Sequence, residues 1–274
     1  MPYVQLDDAR LYYDTEGDRG SPVVLIMGFG VPGAMWRNQV AALSRAHRVT
    51  WFDNCGAGSS RSHRRLPYTT RDLARHVAGL MDALGWPDAH VAGVSMGGMI
   101  AQEVALRHRQ RVRSLALLVT HAGGVRNLIP NPRGLALFAR GFLGPRSRRV
   151  EAMQRLIYPD AYLAAADRDR IGQALRDHVV GAASTRERLG QIAAVMSHRT
   201  GRRLRALEGL PTVVFKANED VLLRPSACHR LHELIPGSKL VELEDAGHAV
   251  LHQCADRVNR ELLAHFGAAD AIRA

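Results

Sequence analysis

The 274-residue sequence predicts an α/β fold in which helices flank a mostly parallel sheet. Short apolar runs alternate along the chain with longer segments of helical periodicity, and this alternation is typical of strands joined by crossover helices. Residues 125–210 break the pattern because they contain no convincing strand and are punctuated by four prolines. We therefore predict a core formed by residues 1–124 and 211–274, with residues 125–210 inserted as a helical cap.

The predicted strands begin at the N-terminal end of the chain. Tyr3 to Leu6 and Leu11 to Asp14 are separated by Asp7-Asp8, which is a turn signal. Val23 to Met27 is continuously apolar, as expected of a strand that is buried on both faces of a sheet. The later predicted strands are Val49 to Phe52, Val91 to Val94, Leu115 to Val119, Thr212 to Phe215 and Leu240 to Leu243.

Helical periodicity fills the intervals between these strands. From Thr70 to Leu84, apolar side chains recur three or four positions apart, which indicates a helix with one buried face. The other predicted core helices are Gly97 to His108, Ser226 to Leu234 and His248 to Phe266. Because strands and helices alternate, we expect most of the strands to run parallel.

Composition excludes several classes of protein. Hydrophobic residues make up 46% of the chain and charged residues 23%, which excludes wholesale disorder. The longest apolar run is too short for a transmembrane helix, which needs about 18 residues. Three cysteines without CxxC spacing predict neither a disulfide framework nor a structural zinc site. Met1 to Arg10 lacks the pattern of a signal peptide, so we expect a cytoplasmic protein.

The formal net charge of +11 first suggests a nucleic-acid partner. However, only two of the 37 basic residues are lysines, and this arginine bias is also typical of a GC-rich coding genome. Aromatic residues make up only 5% of the chain, too few for a platform on which bases stack. We therefore expect no nucleic-acid partner and no membrane partner.

The segment Gly93-Val94-Ser95-Met96-Gly97 matches the G-x-S-x-G pattern of a nucleophile elbow. A predicted strand precedes Ser95 and a predicted helix follows it, which is the structural context that such an elbow needs. Small residues on both sides suit a serine whose backbone is strained where strand and helix pack closely. The alternative is an ordinary turn in which the serine caps the helix.

Four motifs in this order resemble those of the α/β-hydrolase superfamily: Gly28-Phe29-Gly30, the run Asp53 to Ser59, the elbow at Ser95, and Asp220 followed by His248. The resemblance extends from Tyr3 to Phe266 and implies an α/β-hydrolase fold. Within the superfamily, the chain is most similar to small bacterial esterases and lactonases. These include methylesterases of polyketide pathways and enol-lactone hydrolases.

The resemblance implies a catalytic triad of Ser95, Asp220 and His248. A serine hydroxyl needs a general base, and that base needs a carboxylate to orient it. Glu219, beside Asp220, remains an alternative acid, and His252 is the local competitor of His248. The two histidines lack the glutamate of an H-E-x-x-H zinc motif, so we expect no metal site.

The resemblance also implies an oxyanion hole made by the backbone N–H groups of Phe29 and Met96. Two positions depart from the pattern of the superfamily. Met27 stands where most relatives have histidine, and Cys55 stands where they usually have arginine. We interpret Cys55 as a small semi-buried residue, because nothing nearby in the sequence would stabilise its thiolate.

These residues predict a serine carboxylic-ester hydrolase, either an esterase or a lactonase, that forms an acyl-enzyme and needs no metal or organic cofactor. The expected partner is a small-molecule ester or lactone. Fold does not determine the reaction, so four alternatives stay open. They are a cofactor-free haloperoxidase or perhydrolase, a carbon–carbon bond hydrolase on the same triad, a cyclase that does not need Ser95, and a binding protein.

The predicted cap carries most of the positive charge. Residues 125–210 contain sixteen arginines and seven acidic residues, which leaves a formal charge of +9. One interpretation is that this surface attracts an anionic substrate or an acidic carrier protein. The other is a solvated surface that reflects genome composition.

Overall fold

A single sheet organises the chain, whose computed structural model describes residues 2–63, 67–124, 127, 130–177 and 185–273. Its strands are β1 (Tyr3–Gln5), β2 (Ala9–Glu16), β3 (Pro22–Ile26), β4 (Arg48–Phe52), β5 (Arg61–Ser62), β6 (Ala89–Val94), β7 (Val112–Leu118), β8 (Thr212–Ala217) and β9 (Lys239–Leu243). The spatial order is β1-β2-β4-β3-β6-β7-β8-β9, with the short β5 pairing with β2. Only the pairs that involve β1 and β2 are antiparallel among these strands. The predicted mostly parallel sheet is confirmed.

Helices cover the sheet and also form the insertion between β7 and β8. They are α1 (Arg37–Leu43), α2 (Thr70–Ala83), α3 (Met96–Arg107), α4 (Pro132–Leu143), α5 (Arg146–Ile157), α6 (Asp160–Ala165), α7 (Arg168–Leu175), α8 (Thr185–Ser197), α9 (Pro225–Leu234), α10 (Val250–Gln253) and α11 (Ala255–Arg273).

Local sequence sets where α2 begins. The Thr69 side chain accepts from the Asp72 backbone N–H, and the Asp72 side chain accepts from that of Thr69, which is a capping box.

The order of the strands reverses between β3 and β6. The chain leaves β3 towards β4 on one side, and then returns across the sheet to β6 on the other side. Ile26 of β3 is in register with Gly93 of β6, so the loops that follow these two strands lie side by side. In open α/β sheets, ligands bind beyond the carboxyl ends of the strands at this kind of switch point.

The described parts of residues 125–210 are helical and pack in two ways. Tyr158, Leu163, Ile171 and Leu175 form a small separate apolar cluster in the earlier helices. Ala194 of α8 instead belongs to the main core, as do residues of the 3₁₀ segment Gly201–Leu207. The later part of the insertion is therefore anchored on the sheet domain, and the cap boundaries at residues 125 and 210 stay a prediction.

The prediction of one helix from His248 to Phe266 is wrong. The structure has two helices, α10 and α11, which are separated at Cys254, where the backbone is not helical (φ −119°, ψ 32°). The helical segment also continues beyond Phe266 to Arg273, with Ala269 buried on the same face as Phe266. At this end Arg273 donates to the Val112 carbonyl and Asp270 accepts from the Ser21 hydroxyl. In the described parts of the chain, no helix is both long enough and apolar enough to cross a membrane.

Several histidines are buried inside this architecture. Burial lowers the pKa of His90, His121 and His265 to about 4 and that of His198 to about 3. His90 lies against Phe266, with its Nδ1 atom 2.8 Å from the Ser114 hydroxyl oxygen. These rings are therefore neutral at pH 7 and act as hydrogen-bonding groups of the core.

We expect the free energy of unfolding to fall as the pH is lowered from about 6.5 towards 4. The unfolded histidines take up protons below a pKa of about 6.5, whereas the buried ones stay neutral until about pH 4. Each such group contributes a slope of up to about 1.4 kcal/mol per pH unit. Urea unfolding midpoints at pH 7.5, 6.5 and 5.5 measure this slope.

The control compares a buried histidine with an exposed residue that does not titrate. His90→Asn removes a titrating ring from the core and should reduce the slope, whereas Ser226→Ala removes no titrating group and should not. A stability that is equal at pH 7.5 and 5.5 would contradict the prediction.

Candidate active site

Ser95 occupies the sharp turn between β6 and α3. Its backbone is strained for a residue with a side chain (φ 54°, ψ −120°). Two hydrogen bonds hold this conformation: the Ser95 N–H donates to the Leu118 carbonyl at 2.9 Å, and the Thr120 hydroxyl donates to the Ser95 carbonyl at 2.7 Å. The turn has the geometry of a nucleophile elbow, in which the serine projects from the end of the strand.

Two glycines allow this turn to form. A Cβ atom on Gly97 would lie 2.1 Å from the Ile26 carbonyl oxygen, and one on Gly93 would lie 2.2 Å from the Gly97 carbonyl oxygen. Neither contact is compatible with a side chain. The spacing of the motif is thus a packing requirement, because β3, β6 and α3 approach one another at the serine.

A short hydrogen bond links His248 to Asp220. The distance from His248 Nδ1 to Asp220 Oδ2 is 2.6 Å, and the Asp220 side chain is only 1% exposed. The other carboxylate oxygen, Oδ1, accepts from the backbone N–H groups of Leu222 and Leu223 at 2.9 and 2.8 Å. With Nδ1–H donating to Asp220, the Nε2 atom of the neutral ring is left to accept a proton.

The structure distinguishes Asp220 from its neighbour Glu219. Glu219 is exposed, and its backbone N–H donates to the Ala246 carbonyl on the loop that carries His248. Asp220 is the carboxylate that contacts the imidazole. In the loop after β8, the Glu219 backbone therefore holds the loop that carries His248, and the Asp220 side chain orients the His248 ring.

The predicted oxyanion loop lies against the serine. A Cβ atom built on Gly28 would be 3.3 Å from Ser95 Cβ and 3.9 Å from Ser95 Oγ, so this loop is within contact distance of the nucleophile. Met96 is the first residue of α3, and its N–H therefore has no acceptor within its own helix. Both predicted donors, Phe29 and Met96, belong to segments that adjoin Ser95.

Comparison with known proteins agrees with this geometry. The sequence model of one protein family, described as alpha/beta hydrolase fold, matches residues 21–253. The chain belongs to this α/β-hydrolase family. The resemblance that the motifs predicted is confirmed, and so is the fold class.

Similar proteins cover nearly the whole α/β-hydrolase chain. "Putative carbamate hydrolase RutD" of Azorhizobium caulinodans is 33% identical over 98% of this chain and 100% of its own length. The protein of the same name from Variovorax paradoxus is 34% identical over 92% and 94%. Among solved structures, the enol-lactonase from Burkholderia xenovorans LB400 matches with a TM-score of 0.82 and 27% identity, over 97% of this chain and 100% of that one.

In this α/β-hydrolase, His252 contacts the insertion between β7 and β8 and not the Asp220 carboxylate. Its Nδ1 atom lies 3.1 Å from the Tyr158 hydroxyl and 3.5 Å from that of Tyr162, and these two tyrosine rings are stacked. Burial lowers the pKa of His252, and nearby arginines lower it further. His252, the alternative candidate for the general base, thus connects α10 to the insertion.

Cys55 lies at the beginning of a chain of polar contacts that the sequence did not predict. Its thiol is buried and lies 3.6 Å from His76 Nδ1, and His76 Nε2 lies 2.9 Å from Asp8 Oδ1. The thiol is fully buried, not semi-buried as predicted. Nearby, both carboxylate oxygens of Asp53 accept backbone N–H groups, from Gly33 and Ser59, and so order this loop.

A cluster of metal-ligating residue types lies at the opposite end of the strands. Within the described residues, His47, His90 and Asp270 are the one such group, with ligating atoms within 4.8 Å of one another. The Ser21 hydroxyl oxygen lies among them, 3.0, 2.9 and 2.6 Å from the three residues. Arg113 donates to Asp270 Oδ1 at 2.6 Å, and its charge opposes a second cation. We interpret the cluster as a hydrogen-bond network that holds α11 on the sheet.

Two glutamines near the site carry no signal in the sequence. Gln253 accepts from the Gly247 N–H at 3.0 Å and donates to the Asp245 carbonyl, which braces the loop that carries His248. Gln191 of α8 accepts from the Gly30 N–H at 2.7 Å. Neither residue belongs to a motif, and the contacts depend on how distant segments pack.

We expect Gly97→Ala to destabilise the protein strongly. The added methyl group would collide with the Ile26 carbonyl, and overpacking of this kind typically costs about 1–3 kcal/mol. Thermal unfolding of the purified variant measures the effect. Gly267→Ala is the matched control, because a Cβ at this position of α11 meets no atom within 4 Å. Equal unfolding temperatures for the two variants would refute the packing argument.

Proposed function

We propose that this α/β-hydrolase is a serine carboxylic-ester hydrolase, an esterase or a lactonase, that acts through an acyl-enzyme. The observation that carries the proposal is the hydrogen bond between Asp220 and His248, and the strained turn at Ser95 follows β6 of the same sheet. A buried carboxylate that fixes the tautomer of a histidine supports a role for that histidine as a general base. The positive φ of Ser95 supports its role as the nucleophile.

The proposed reaction has two steps. Ser95 Oγ attacks the substrate carbonyl while His248 Nε2 takes the hydroxyl proton, and Asp220 stabilises the resulting imidazolium. The negative oxygen of the tetrahedral intermediate accepts hydrogen bonds from the N–H groups of Phe29 and Met96. His248 then returns the proton to the leaving alcohol, so that an acyl-serine remains. Water, deprotonated by the same histidine, hydrolyses this ester and regenerates the hydroxyl.

Carbamate hydrolysis is a second candidate activity. It is favoured by relatives of 33% and 34% identity that bear the name of carbamate hydrolases and align over almost the whole chain. An enol-lactonase of 27% identity with a closely similar fold favours the ester and lactone reading. Both substrates present a carbonyl carbon to the same nucleophile, so only turnover can rank them.

We expect the wild-type protein to hydrolyse p-nitrophenyl acetate and a small enol lactone, and Ser95→Ala to lose at least about 10³-fold in kcat. A fluorophosphonate probe should add its mass to the peptide that contains Ser95. Ser226→Ala, at an exposed serine of α9, is the control and should keep full activity.

The outcomes separate the candidates. A carbamate turned over with a higher kcat/KM than every ester would rank the second activity first. Peroxide-dependent halogenation, or cleavage of a vinylogous diketone, would instead identify the alternative reactions on the same triad. Turnover that survives in Ser95→Ala would overturn the proposed mechanism.

We also propose that the basic cap attracts an anionic substrate or an acidic carrier protein. Arg168 and Arg170 on α7 are exposed, as is Arg140 on α4. Exposed charges of one sign raise the encounter rate with oppositely charged molecules, and salt screens the effect over about 10 Å at 0.1 M.

We expect kcat/KM for an anionic ester to fall severalfold between 20 and 300 mM salt, because screening weakens this attraction. A neutral ester of the same acyl chain is the control and should show little change. Stopped-flow or steady-state kinetics at low substrate concentration measures both. An equal salt dependence of the two esters would contradict the proposal and indicate that the arginines form an ordinary solvated surface.

A further inference from the structure

A buried glutamine of the insertion reaches into the sheet domain at the loops after β3 and β4. Gln191 lies on α8, and its side chain is completely buried. Ala194, three positions further along the same helix face, belongs to the main core. This face of α8 therefore packs on the sheet domain and brings an amide group with it.

The oxygen and the nitrogen of this side-chain amide each form a hydrogen bond to a loop of the sheet domain. Gln191 Oε1 accepts from the Gly30 N–H at 2.7 Å, and Gln191 Nε2 donates to the Cys55 carbonyl at 2.9 Å. Gly30 lies in the loop after β3, and Cys55 in the loop after β4. One side chain thus connects two neighbouring loops at the carboxyl ends of the strands.

The bond to Gly30 matters because glycine by itself does not define the backbone there. Gly30 has φ 67°, and glycine adopts positive and negative φ values about equally readily. A Cβ at this position would meet no atom within 4 Å, so side-chain packing at this residue does not define the conformation. The hydrogen bond from the Gly30 N–H to Gln191 is a contact that orients the peptide between Phe29 and Gly30.

We infer that Gln191 is a positioning residue for the oxyanion hole. This inference rests on the proposed function, in which the N–H of Phe29 binds the oxyanion. The loop of Phe29 lies against Ser95. A hydrogen-bond donor that is displaced by a fraction of an ångström stabilises the transition state much less. The insertion would in this way set the rate of the chemical step as well as cover the substrate.

The test compares variants of two buried glutamines. Gln191→Met removes both hydrogen bonds at similar volume, and Gln191→Asn retracts the amide from Gly30 while it keeps the polarity. Gln154→Met is the matched control, because Gln154 is a buried glutamine of the insertion whose side chain donates to the Arg168 carbonyl, within the insertion. Gln191→Glu keeps an oxygen acceptor for the Gly30 N–H.

We expect Gln191→Met and Gln191→Asn to lower kcat for p-nitrophenyl acetate by about ten- to a hundredfold with little change in KM. Gln191→Glu should recover part of this loss, and Gln154→Met should stay within about threefold of the wild type. Hydrogen–deuterium exchange of residues 28–33 should be faster in the Met and Asn variants than in Gln154→Met.

Three results would overturn the inference. The first is Ser95-dependent turnover with unchanged kcat in both Gln191→Met and Gln191→Asn. The second is unchanged exchange of residues 28–33 in a folded variant. The third is an equal loss of kcat in Gln154→Met, which would reveal general destabilisation. Wild-type turnover that survives Ser95→Ala is a separate result, because it would remove the proposed function and with it any oxyanion role.

Discussion

The close packing of β3, β6 and α3 around Ser95 is the constraint on which the rest of the site depends. Because Gly97 lies directly on the Ile26 carbonyl, the helix can begin immediately after the strand. The serine then takes a positive φ and the helix N-terminus lies beside its side chain. The loop after β3 is brought against Ser95 by the same contact. The positions of the proposed nucleophile and of the proposed oxyanion loop thus follow from one packing arrangement.

The insertion contributes to the site on two sides. Gln191 bonds to the loop after β3, and the Ile157 carbonyl accepts from the Ala249 N–H, next to His248. A Cβ on Gly247 would lie 2.6 Å from the Ile157 carbonyl oxygen, so the two segments are in close contact. The insertion therefore contacts both the loop after β3 and the loop that carries His248. A change in its packing would reach the reacting groups through backbone hydrogen bonds.

Much of the fold and of the site could be predicted from local patterns. The parallel strands contain short apolar runs, and the predicted elbow at Ser95 combines a five-residue motif with its strand and helix. The choice of Asp220 over Glu219 could not be settled by position alone, since the two residues are adjacent. In the structure the Asp220 side chain contacts His248, whereas Glu219 is exposed. The last residues of α11 lay beyond the predicted helix, and Asp270 and Arg273 there bond to residues of the sheet domain.

The sequence by itself determined the alternation of strands and helices and the resemblance to the α/β-hydrolase family, because both are carried by short local patterns. The tertiary structure alone decided which groups meet across the chain. Gln191 and Gly30 are 161 positions apart, and His248 and Asp220 are 28 apart. No local pattern encodes such pairs, since the contact exists only once separate segments have packed on a common core. The orientation of the oxyanion loop belongs to this second kind of information.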